Sequence, residues 1–404
     1  MPAEPSGELR GASSLLGPAF VVRPHGILER LRVGCPVALV RTPSGEDVWV
    51  VTRERDVRAG LKDPRLVTAA VPTRPQPGAP VQLSILNYAP DDHARLRRLA
   101  ASSFTPARVR AHRPIIERIA LDLANELAAE PQADLLADFA YPFAGRMVCE
   151  LFGVTRSHHD CLYASIVTLV TIPRRSRRER DEALDTIKAI LESEVGRRID
   201  QGCDDGDILS TVVHAGQSSL ERVTREELLS LCGMLLLAGV DTTAQMLCVA
   251  MVGILTHPPL WDRLRKDPGA APDMLEELLR WDSPAPFATK RIALADIELG
   301  GTVIPAGGKV MLSIMAANRD PEGRPDPDIV DPDRIEGNHH VAFGLGPHYC
   351  LGAPLARLAL EVALTTLLRR CPDLALAVPV AKLPWRGTHV SRVLVALPVL
   401  TRDH

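Results

Sequence analysis

The sequence predicts a mainly α-helical protein with small β-sheets, of the α+β class. Apolar residues recur at helical spacing through most of the 404 residues, whereas alternating, β-branched stretches are short and few. One predicted helix, from residue 225 to about residue 256, is apolar nearly all round over residues 228–237, which is typical of a helix buried within a domain. A loop rich in glycine, residues 343–352, precedes another apolar helix. We therefore expect one large domain that a buried helix crosses.

Composition narrows the classes of protein that the chain can belong to. Residues 1–19 are polar and rich in Gly, Ser and Pro, which predicts a disordered tail before a single domain over residues 20–404. The net charge of −3 argues against a nucleic-acid partner. Eight cysteines without CxxC spacing fit a reducing cytoplasm. We find neither a bilayer-length apolar run nor a signal peptide, so we expect a cytoplasmic protein with no membrane partner.

The first hundred residues alternate short helices with a hairpin. Residues 25–33 and 56–62 have helical spacing, and two short apolar strands, 37–40 and 48–51, flank a Pro-Ser-Gly-Glu turn. Residues 64–86 contain five prolines and little periodicity, which predicts a long loop that is either functional or mobile, or a variable surface loop.

A helix over residues 91–103 carries several basic side chains. His93 and Arg97 are four residues apart and therefore share one face, while Arg95 and Arg98 are expected on a solvated basic face. Helical spacing then continues through residues 115–127, 135–151, 158–171 and on to residue 199. The basic run at residues 174–178 is typical of a solvated surface, with an anionic substrate as the less favoured interpretation.

The long apolar helix begins at a capping box, Thr224-Arg225-Glu226-Glu227, and is interrupted by Ala-Gly-Val-Asp-Thr-Thr at residues 238–243. Polar residues inside a buried helix are locally unfavourable, and such conflicts concentrate at functional or strained sites. A threonine hydroxyl can bond an earlier carbonyl and open the helical ladder. The alternative is a kink without chemical consequence.

The loop 343–352 reads Phe-Gly-Leu-Gly-Pro-His-Tyr-Cys-Leu-Gly and is followed by apolar residues at helical spacing. Cys350 therefore lies close to a helix N-terminus, where backbone N–H groups and the helix dipole favour a thiolate. A lone cysteine is more often an inert, buried apolar residue. The surrounding residues reverse that expectation, because F-G-x-G-x-H-x-C-x-G resembles the haem-binding signature of the cytochrome P450 family, in its soluble bacterial class.

The resemblance runs from about residue 24 to residue 399 and implies the cytochrome P450 fold, with haem b between the long distal helix and the helix after the cysteine loop. It implies that Cys350 is the thiolate ligand of the haem iron, a ligand that favours O–O cleavage. It also implies that four neighbouring loop residues line the haem: Phe343, Gly344, His348 and Gly352.

Other motifs match the same family. A-G-x-D-T-T resembles its oxygen-activation motif, which implies that Asp241 and Thr242 are the acid–alcohol pair that delivers protons, with Ala238 and Gly239 facing the haem. H-A-R-L-R-R resembles the helix that binds the haem propionates. The propionate ligands implied are His93, Arg97 and, farther along the chain, Arg291.

The second half contains E-L-L-R, which resembles the family's buried E-x-x-R pair. Glu277 and Arg280 would pair, with Arg334 as the third member, although the segment between Arg334 and Phe343 is shorter than usual. The family pattern also suggests a set of residues that line the substrate pocket: Leu235, Pro286, Phe287, Ala288 and Thr388.

The expected function is that of a haem-thiolate monooxygenase. It would insert one atom of O₂ into a small organic substrate, a secondary metabolite, by hydroxylation or epoxidation, with electrons from a ferredoxin and its ferredoxin reductase. Arg95, Arg98 and Arg357 are candidate cations for docking the ferredoxin. One alternative keeps the haem but performs oxidative coupling or ring closure. Another is a zinc protein, and its candidate ligands fit no common zinc spacing: His339, His340, His348 and Cys350.

Overall fold

The computed structural model describes residues 17–68, 84–86, 88–171, 176–202, 206–219, 223–334, 339–387 and 392–402. The predicted disordered tail lies almost wholly outside this part of the chain, as do most of the proline-rich loop, part of the basic run at residues 174–178 and the candidate pocket residue Thr388.

The described chain is mainly helical, as the sequence predicts. Its helices are α1 (Pro18–Val22), α2 (Pro24–Gly34), α3 (Glu54–Lys62), α4 (Pro90–Ala101), α5 (Pro106–Ala111), α6 (Arg113–Ala129), α7 (Tyr141–Leu151), α8 (His159–Thr171), α9 (Arg177–Gln201), α10 (Ile208–Gln217), α11 (Arg225–Leu255), α12 (Pro258–Lys266), α13 (Ala271–Trp281), α14 (Ile314–Asn318) and α15 (Ala353–Arg370).

Small sheets lie beside the helices. Their strands are β1 (Val37–Arg41), β2 (Asp47–Val51), β3 (Leu66–Val67), β4 (Gln132–Asp134), β5 (Arg291–Ala293), β6 (Ile297–Leu299), β7 (Thr302–Ile304), β8 (Lys309–Leu312), β9 (Ala375–Leu376), β10 (Trp385–Gly387), β11 (Arg392–Leu394) and β12 (Pro398–Leu400).

The largest sheet has the strand order β1-β2-β8-β5-β3. The predicted hairpin forms its edge, with Val37 opposite Val51 in an antiparallel pair. β2 then pairs in parallel with β8, with Trp49 opposite Val310. β5 is also part of this sheet, and it presents Arg291 at its first position.

Helix α11 forms the centre of the largest apolar cluster. Both halves of the predicted capping box are present: the Glu227 N–H donates to Thr224 Oγ1 at 3.2 Å, and the Thr224 N–H donates to Glu227 Oε2 at 3.0 Å. The helix packs against α7, α9 and α15. By length and composition it could cross a bilayer, but 72% of its most apolar stretch is buried inside the protein. It is therefore a core helix, as the apolar pattern predicts.

Two local predictions need correction. Residues 135–151 do not form one continuous α-helix, because a π-type turn, Leu135–Ala140, precedes α7. Arg95 does not lie on a solvated face, since its side chain is only 11% exposed and its Nη2 atom is 2.5 Å from Glu227 Oε1. Glu227 belongs to the capping box, so Arg95 links α4 to the start of α11.

A buried ion pair ties the second half of the domain together. Arg280 binds Glu277 through two bonds, Nη2 to Oε1 at 2.6 Å and Nε to Oε2 at 2.7 Å, and neither side chain is exposed. Arg334 Nε lies 3.4 Å from Glu277 Oε1, so the shorter segment after it does not prevent the triad from forming. Arg280 also donates to backbone carbonyls, including those of Asn318 and Pro327.

The substitution Glu277→Ala should destabilise the protein by about 3–5 kcal/mol, because it leaves the buried guanidinium of Arg280 without its counter-charge. The free energy of unfolding from urea titration measures the loss. The matched control is Glu117→Ala, which removes an exposed pair with Arg113 and should cost no more than about 1 kcal/mol. Equal losses in the two variants would contradict the structural role assigned to Glu277.

Candidate active site

The middle of α11 and the cysteine loop line one cavity of about 220 Å³. Ala238, Gly239 and Thr242 contribute the α11 wall, while Cys350 and Gly352 line the cavity from the loop. The remaining described wall is largely apolar and is formed by Ile85, Leu86, Phe104, Met147, Val148, Phe152, Met234, Leu235, Leu351, Leu355 and Ala356, among others. The two sequence motifs, more than a hundred residues apart, therefore meet at one site.

The backbone of the loop places the Cys350 sulfur in this cavity. Gly344 and Gly346 adopt φ values of 74° and 73°, a left-handed conformation that favours glycine. The Cys350 N–H then donates to the Phe343 carbonyl at 2.8 Å, which closes the loop. Helix α15 begins at Ala353, so the predicted helix start just after the cysteine is confirmed.

Burial raises the pKa of the Cys350 thiol, and nearby donors oppose this effect. The backbone N–H groups of Gly352 and Ala353 and the charges of Arg97 and Arg357 all lower the pKa. The nearby donors therefore favour the thiolate, as expected, but without a bound metal the effect of burial on the pKa is larger. A metal bound to the sulfur would reverse this balance, because a coordinating thiol is deprotonated outright.

A second cavity, of about 410 Å³, adjoins the first and shares with it His93, Arg97 and His348. Arg291 also lines it, so the structure brings together the four side chains expected to bind propionates or to line the haem. The His93 and His348 rings lie 4.3 Å apart between centroids. Arg97 Nη2 donates to the Tyr349 carbonyl, which joins α4 to the cysteine loop.

Two of these side chains, Arg291 and His348, have unmet hydrogen-bonding capacity among the described residues. Arg291 is 2% exposed, and burial lowers its pKa to about 10. Its Nε atom and the Nδ1 atom of His348 are buried without a hydrogen-bond partner among the described residues. Burial, with the charge of Arg291, lowers the pKa of His348 to about 3. Such groups are costly unless an anionic partner compensates them.

The residues present fit a haem. The cavities offer a sulfur ligand, an apolar slot and, at one edge, donors suited to two carboxylates. A Cβ atom added at Gly352 would meet nothing within 4 Å, so the loop backbone borders open space there. A Cβ atom added at Gly239 would lie 2.9 Å from Val148 Cγ2, which shows that α7 packs closely against α11 at the cavity wall.

The polar segment of α11 contains the predicted threonine bond, although α11 continues through it as one helix. The Thr242 hydroxyl donates to the Ala238 carbonyl, four residues earlier, at 2.6 Å, and the Thr242 side chain borders the cavity. Thr243 also lines the cavity, although its side chain is mostly buried. Asp241 is half-buried, and its Oδ1 atom accepts a hydrogen bond from Tyr141 Oη at 2.7 Å.

The expected substrate-pocket residues are only partly at the cavity. Leu235 lines it. Pro286, Phe287 and Ala288 are not among the described residues lining either cavity. The Phe287 ring instead stacks on Phe20 at 5.7 Å within a separate apolar core, so its side chain does not occupy the expected pocket position.

Phe343 and Gly344 are not among the described residues that line the first cavity. The guanidinium of Arg357 sits 4.5 Å from the Phe343 ring centroid and also binds Glu276 through two bonds. His340 Nε2 lies 3.1 Å from Glu276 Oε2. Two of the histidines considered for a zinc site, His340 and His348, therefore have separate environments, and the described residues contain no cluster suited to a metal ion.

One side chain that binds the candidate acid, Tyr141, and one that binds this tyrosine, Gln245, do not follow from the motifs. Gln245 lies four residues after Asp241, so helical spacing places both near one face of α11. Tyr141 is a hundred residues away in the sequence, and only the packing of α7 on α11 brings its hydroxyl to Asp241. Gln245 Nε2 lies 3.1 Å from Tyr141 Oη.

Replacing Arg291 should affect the haem-free and haem-bound proteins in opposite directions. Arg291→Met removes a buried, uncompensated charge, so the haem-free protein should gain about 1–3 kcal/mol of stability. The same change should speed haem loss to apomyoglobin about tenfold, because one donor to the propionates is missing. The exposed Arg65, which pairs with Asp63, gives the control Arg65→Met. Unchanged haem loss in Arg291→Met would contradict the assignment.

The stability of the haem-free protein should fall as the pH is lowered from about 6.5 to about 4. Burial, with the charges of Arg97 and Arg291, lowers the pKa of His93 to about 4. The unfolded chain therefore binds a proton in this range that the folded chain does not. His93→Gln should remove up to about 3 kcal/mol of this pH dependence. Urea titrations across this pH range measure it, with the exposed His214→Gln as control; identical slopes in wild type and His93→Gln would refute the prediction.

Comparison with known proteins identifies the family. The cytochrome P450 family model matches residues 113–269 and 271–373. The chain is 36% identical over 395 residues to the cytochrome P450 monooxygenase PikC of Streptomyces venezuelae, covering 96% of this chain and 93% of that protein. It is 38% identical over 371 residues to the mycinamicin IV hydroxylase/epoxidase of Micromonospora griseorubida, covering 90% and 92% of the two chains.

Solved structures give the same result. The fold is similar to that of the Bacillus subtilis cytochrome P450 PksS, from the bacillaene polyketide synthase, with a TM-score of 0.88, 31% identity and coverage of 96% of this chain and 99% of that chain. The leinamycin-pathway cytochrome P450 hydroxylase LnmA of Streptomyces atroolivaceus gives a TM-score of 0.84 at 34% identity, covering 99% and 98% of the chains. The chain belongs to the cytochrome P450 family and is a haem-dependent monooxygenase that uses O₂ and redox partners to oxidise an organic substrate.

Proposed function

We propose that this enzyme inserts one atom of O₂ into a small, largely apolar secondary metabolite by hydroxylation or epoxidation. The observation that carries the proposal is the cavity that Cys350 and Thr242 both line. It provides a sulfur ligand and a hydroxyl group within one site, and its described wall is otherwise mainly aliphatic. The other product of such a reaction is water, so the site must also receive two electrons and two protons.

The cofactor of the proposed reaction is haem b, held by side chains from several elements. Cys350 Sγ is the proposed iron ligand, and Arg97, His93 and Arg291 are the proposed donors to the two propionates, with His348 beside them. The burial of His93 and Arg291 and the unpartnered Arg291 Nε atom support this assignment. When bound, haem supplies the iron at which O₂ is reduced and its O–O bond is broken.

Asp241 and Thr242 are the proposed proton-delivering pair. Thr242 holds its hydroxyl at the cavity wall, where it can orient O₂ and water. Its bond to the Ala238 carbonyl orients the hydroxyl oxygen, which can accept a further hydrogen bond. Burial raises the pKa of Asp241, which makes its carboxyl group a better proton donor near neutral pH than an exposed aspartate. Asp241 would take up each proton from solvent and pass it toward the cavity.

The substrate class is inferred from the cavity wall and from the relatives. Leu235, Met234 and Ile85 contribute apolar surface, which suits a hydrocarbon-rich substrate. The names of the relatives point to secondary metabolism: one is a mycinamicin IV hydroxylase/epoxidase and another belongs to the leinamycin biosynthetic pathway.

The proposed electron donor is a ferredoxin, itself reduced by a ferredoxin reductase, in the cytoplasm. Of the three arginines considered for its docking, Arg95 is excluded because it is buried against Glu227. Arg98 is exposed, and Arg357 lies behind the Cys350 loop, 36% exposed and paired with Glu276. A docking site on this face would place the donor close to the sulfur.

Isotopically labelled O₂ tests oxygen insertion directly. A substrate is first found by screening apolar secondary metabolites for the low-spin to high-spin shift of the ferric protein. Mass spectrometry of the product should then show one labelled oxygen atom. A product that has lost two hydrogen atoms without gaining oxygen would instead identify oxidative coupling or ring closure.

The variant Thr242→Val should still bind haem and substrate, but less of the NADH that it consumes should lead to product. Without the hydroxyl, proton delivery is no longer directed, so product formed per NADH consumed should fall at least several-fold while hydrogen peroxide rises. The matched control is Thr186→Val on α9, because the Thr186 hydroxyl makes the same kind of bond, to the Glu182 carbonyl four residues earlier, but does not line either cavity. An unchanged product yield in Thr242→Val would argue against the proposed role.

A further inference from the structure

A buried hydrogen-bonded chain, which we call the Tyr141 chain, connects the acid of the proposed proton-delivering pair to a β-strand. It runs from Asp241 through Tyr141 and Gln245 to the backbone of Leu394 in β11. Tyr141 is 5% exposed, whereas Gln245 and Leu394 are fully buried. The reaction described above does not use Tyr141 or Gln245, yet Tyr141 contacts the carboxylate directly.

The backbone of β11 sets the direction of the chain. The Leu394 N–H donates to Gln245 Oε1 at 2.8 Å, which identifies that atom as the amide oxygen. Gln245 Nε2 must therefore be the donor to its two partners, the Leu394 carbonyl and Tyr141 Oη, both at 3.1 Å. If the amide were flipped, its NH₂ group would face the Leu394 N–H and its oxygen would face the Leu394 carbonyl. Both contacts are unfavourable in the buried core.

The direction of the Gln245 amide determines where the tyrosine proton points. Because Tyr141 Oη accepts a bond from Gln245, its own O–H is available for Asp241 Oδ1, 2.7 Å away. Thr242, next to Asp241, donates to the Ala238 carbonyl instead. The carboxylate of Asp241 is thus bound by an oriented donor on α7.

We propose that Tyr141 is a positioning residue, oriented by Gln245, that holds the Asp241 carboxylate against α7 in its deprotonated form between turnovers. The proposal rests on the proposed role of Asp241 as the proton-delivering acid. Tyr141 donates a hydrogen bond and keeps its own proton. Asp241 must leave Tyr141 to carry a proton toward Thr242, so the strength of this bond controls how readily the acid becomes protonated.

The surroundings of Asp241 and Tyr141 influence the pKa values of both groups. Burial raises the pKa of Asp241, while the Tyr141 hydrogen bond and the positive charge of Arg386 on β10 lower it. Burial and the Asp241 charge raise the pKa of Tyr141 well above its ordinary value, so the phenol stays protonated at neutral pH. Among the described residues, Tyr141 and Arg386 are the titratable groups that act on Asp241.

The test is an infrared titration of the Asp241 carboxyl group in the ferric, substrate-free enzyme. The band lost in Asp241→Asn identifies the group. In Tyr141→Phe its midpoint should rise by about one pH unit, the equivalent of one lost hydrogen bond to a carboxylate. Tyr163→Phe is the matched control, a partly buried tyrosine on α8 packed against Gly145, and should leave the midpoint unchanged. The same midpoint in wild type and Tyr141→Phe would overturn the proposal.

A second variant tests the role of Gln245 without removing the phenol. Gln245→Glu replaces the donor to Tyr141 by an acceptor, so the tyrosine proton has two competing acceptors and the Asp241 midpoint should again rise. A midpoint that stays at the wild-type value in Gln245→Glu would show that Gln245 does not orient Tyr141.

Measurements of product formation distinguish the positioning role of Tyr141 from the proton-delivery role of Asp241 on which it rests. If Tyr141 positions the acid, Tyr141→Phe should change the solvent deuterium isotope effect on product formation while haem content and substrate affinity stay the same. If Asp241→Asn leaves product yield per NADH unchanged, the proton-delivery role of Asp241 fails, whereas the infrared shift in Tyr141→Phe would still establish the positioning contact.

Discussion

The position of the Cys350 sulfur, at the start of α15 and across a cavity from the middle of α11, is the constraint on which the rest of the structure depends. Two left-handed glycines and the bond from the Cys350 N–H to Phe343 fix the loop. The buried α11 supplies the other wall, because its apolar surface packs on several helices at once. The small sheets add Arg291 at the edge of the site.

The buried charged side chains of this domain fall into two groups, those with a charged partner and those without one among the described residues. Glu277 binds Arg280 through two hydrogen bonds and also lies close to Arg334, which suits a structural ion cluster. Arg291 and His348 instead keep buried nitrogen atoms without partners among the described residues. That contrast distinguishes groups that complete the fold from groups that await a ligand, and it is the physical reason for placing the haem carboxylates at the second cavity.

Much of the fold and part of the site could be predicted from the sequence because the signals are local. The capping box at Thr224, the polar interruption at Asp241 and the loop before Cys350 each lie within a few residues. The contacts of Arg95 with Glu227, of Phe287 with Phe20 and of Tyr141 with Asp241 join distant segments. No spacing rule encodes them, so the expectation for Arg95 was wrong, Phe287 lies outside the two described cavities, and Tyr141 was missed.

The most direct measurement is the absorption spectrum of the reduced, CO-treated protein beside that of Cys350→Ser. A thiolate ligand to haem iron should give the strongly red-shifted Soret band from which the family takes its name, and the serine variant should lose it. The matched variant Cys371→Ser, at a buried cysteine at the end of α15, should keep it. A wild-type protein that binds no haem, or a red-shifted band that survives in Cys350→Ser, would contradict the account.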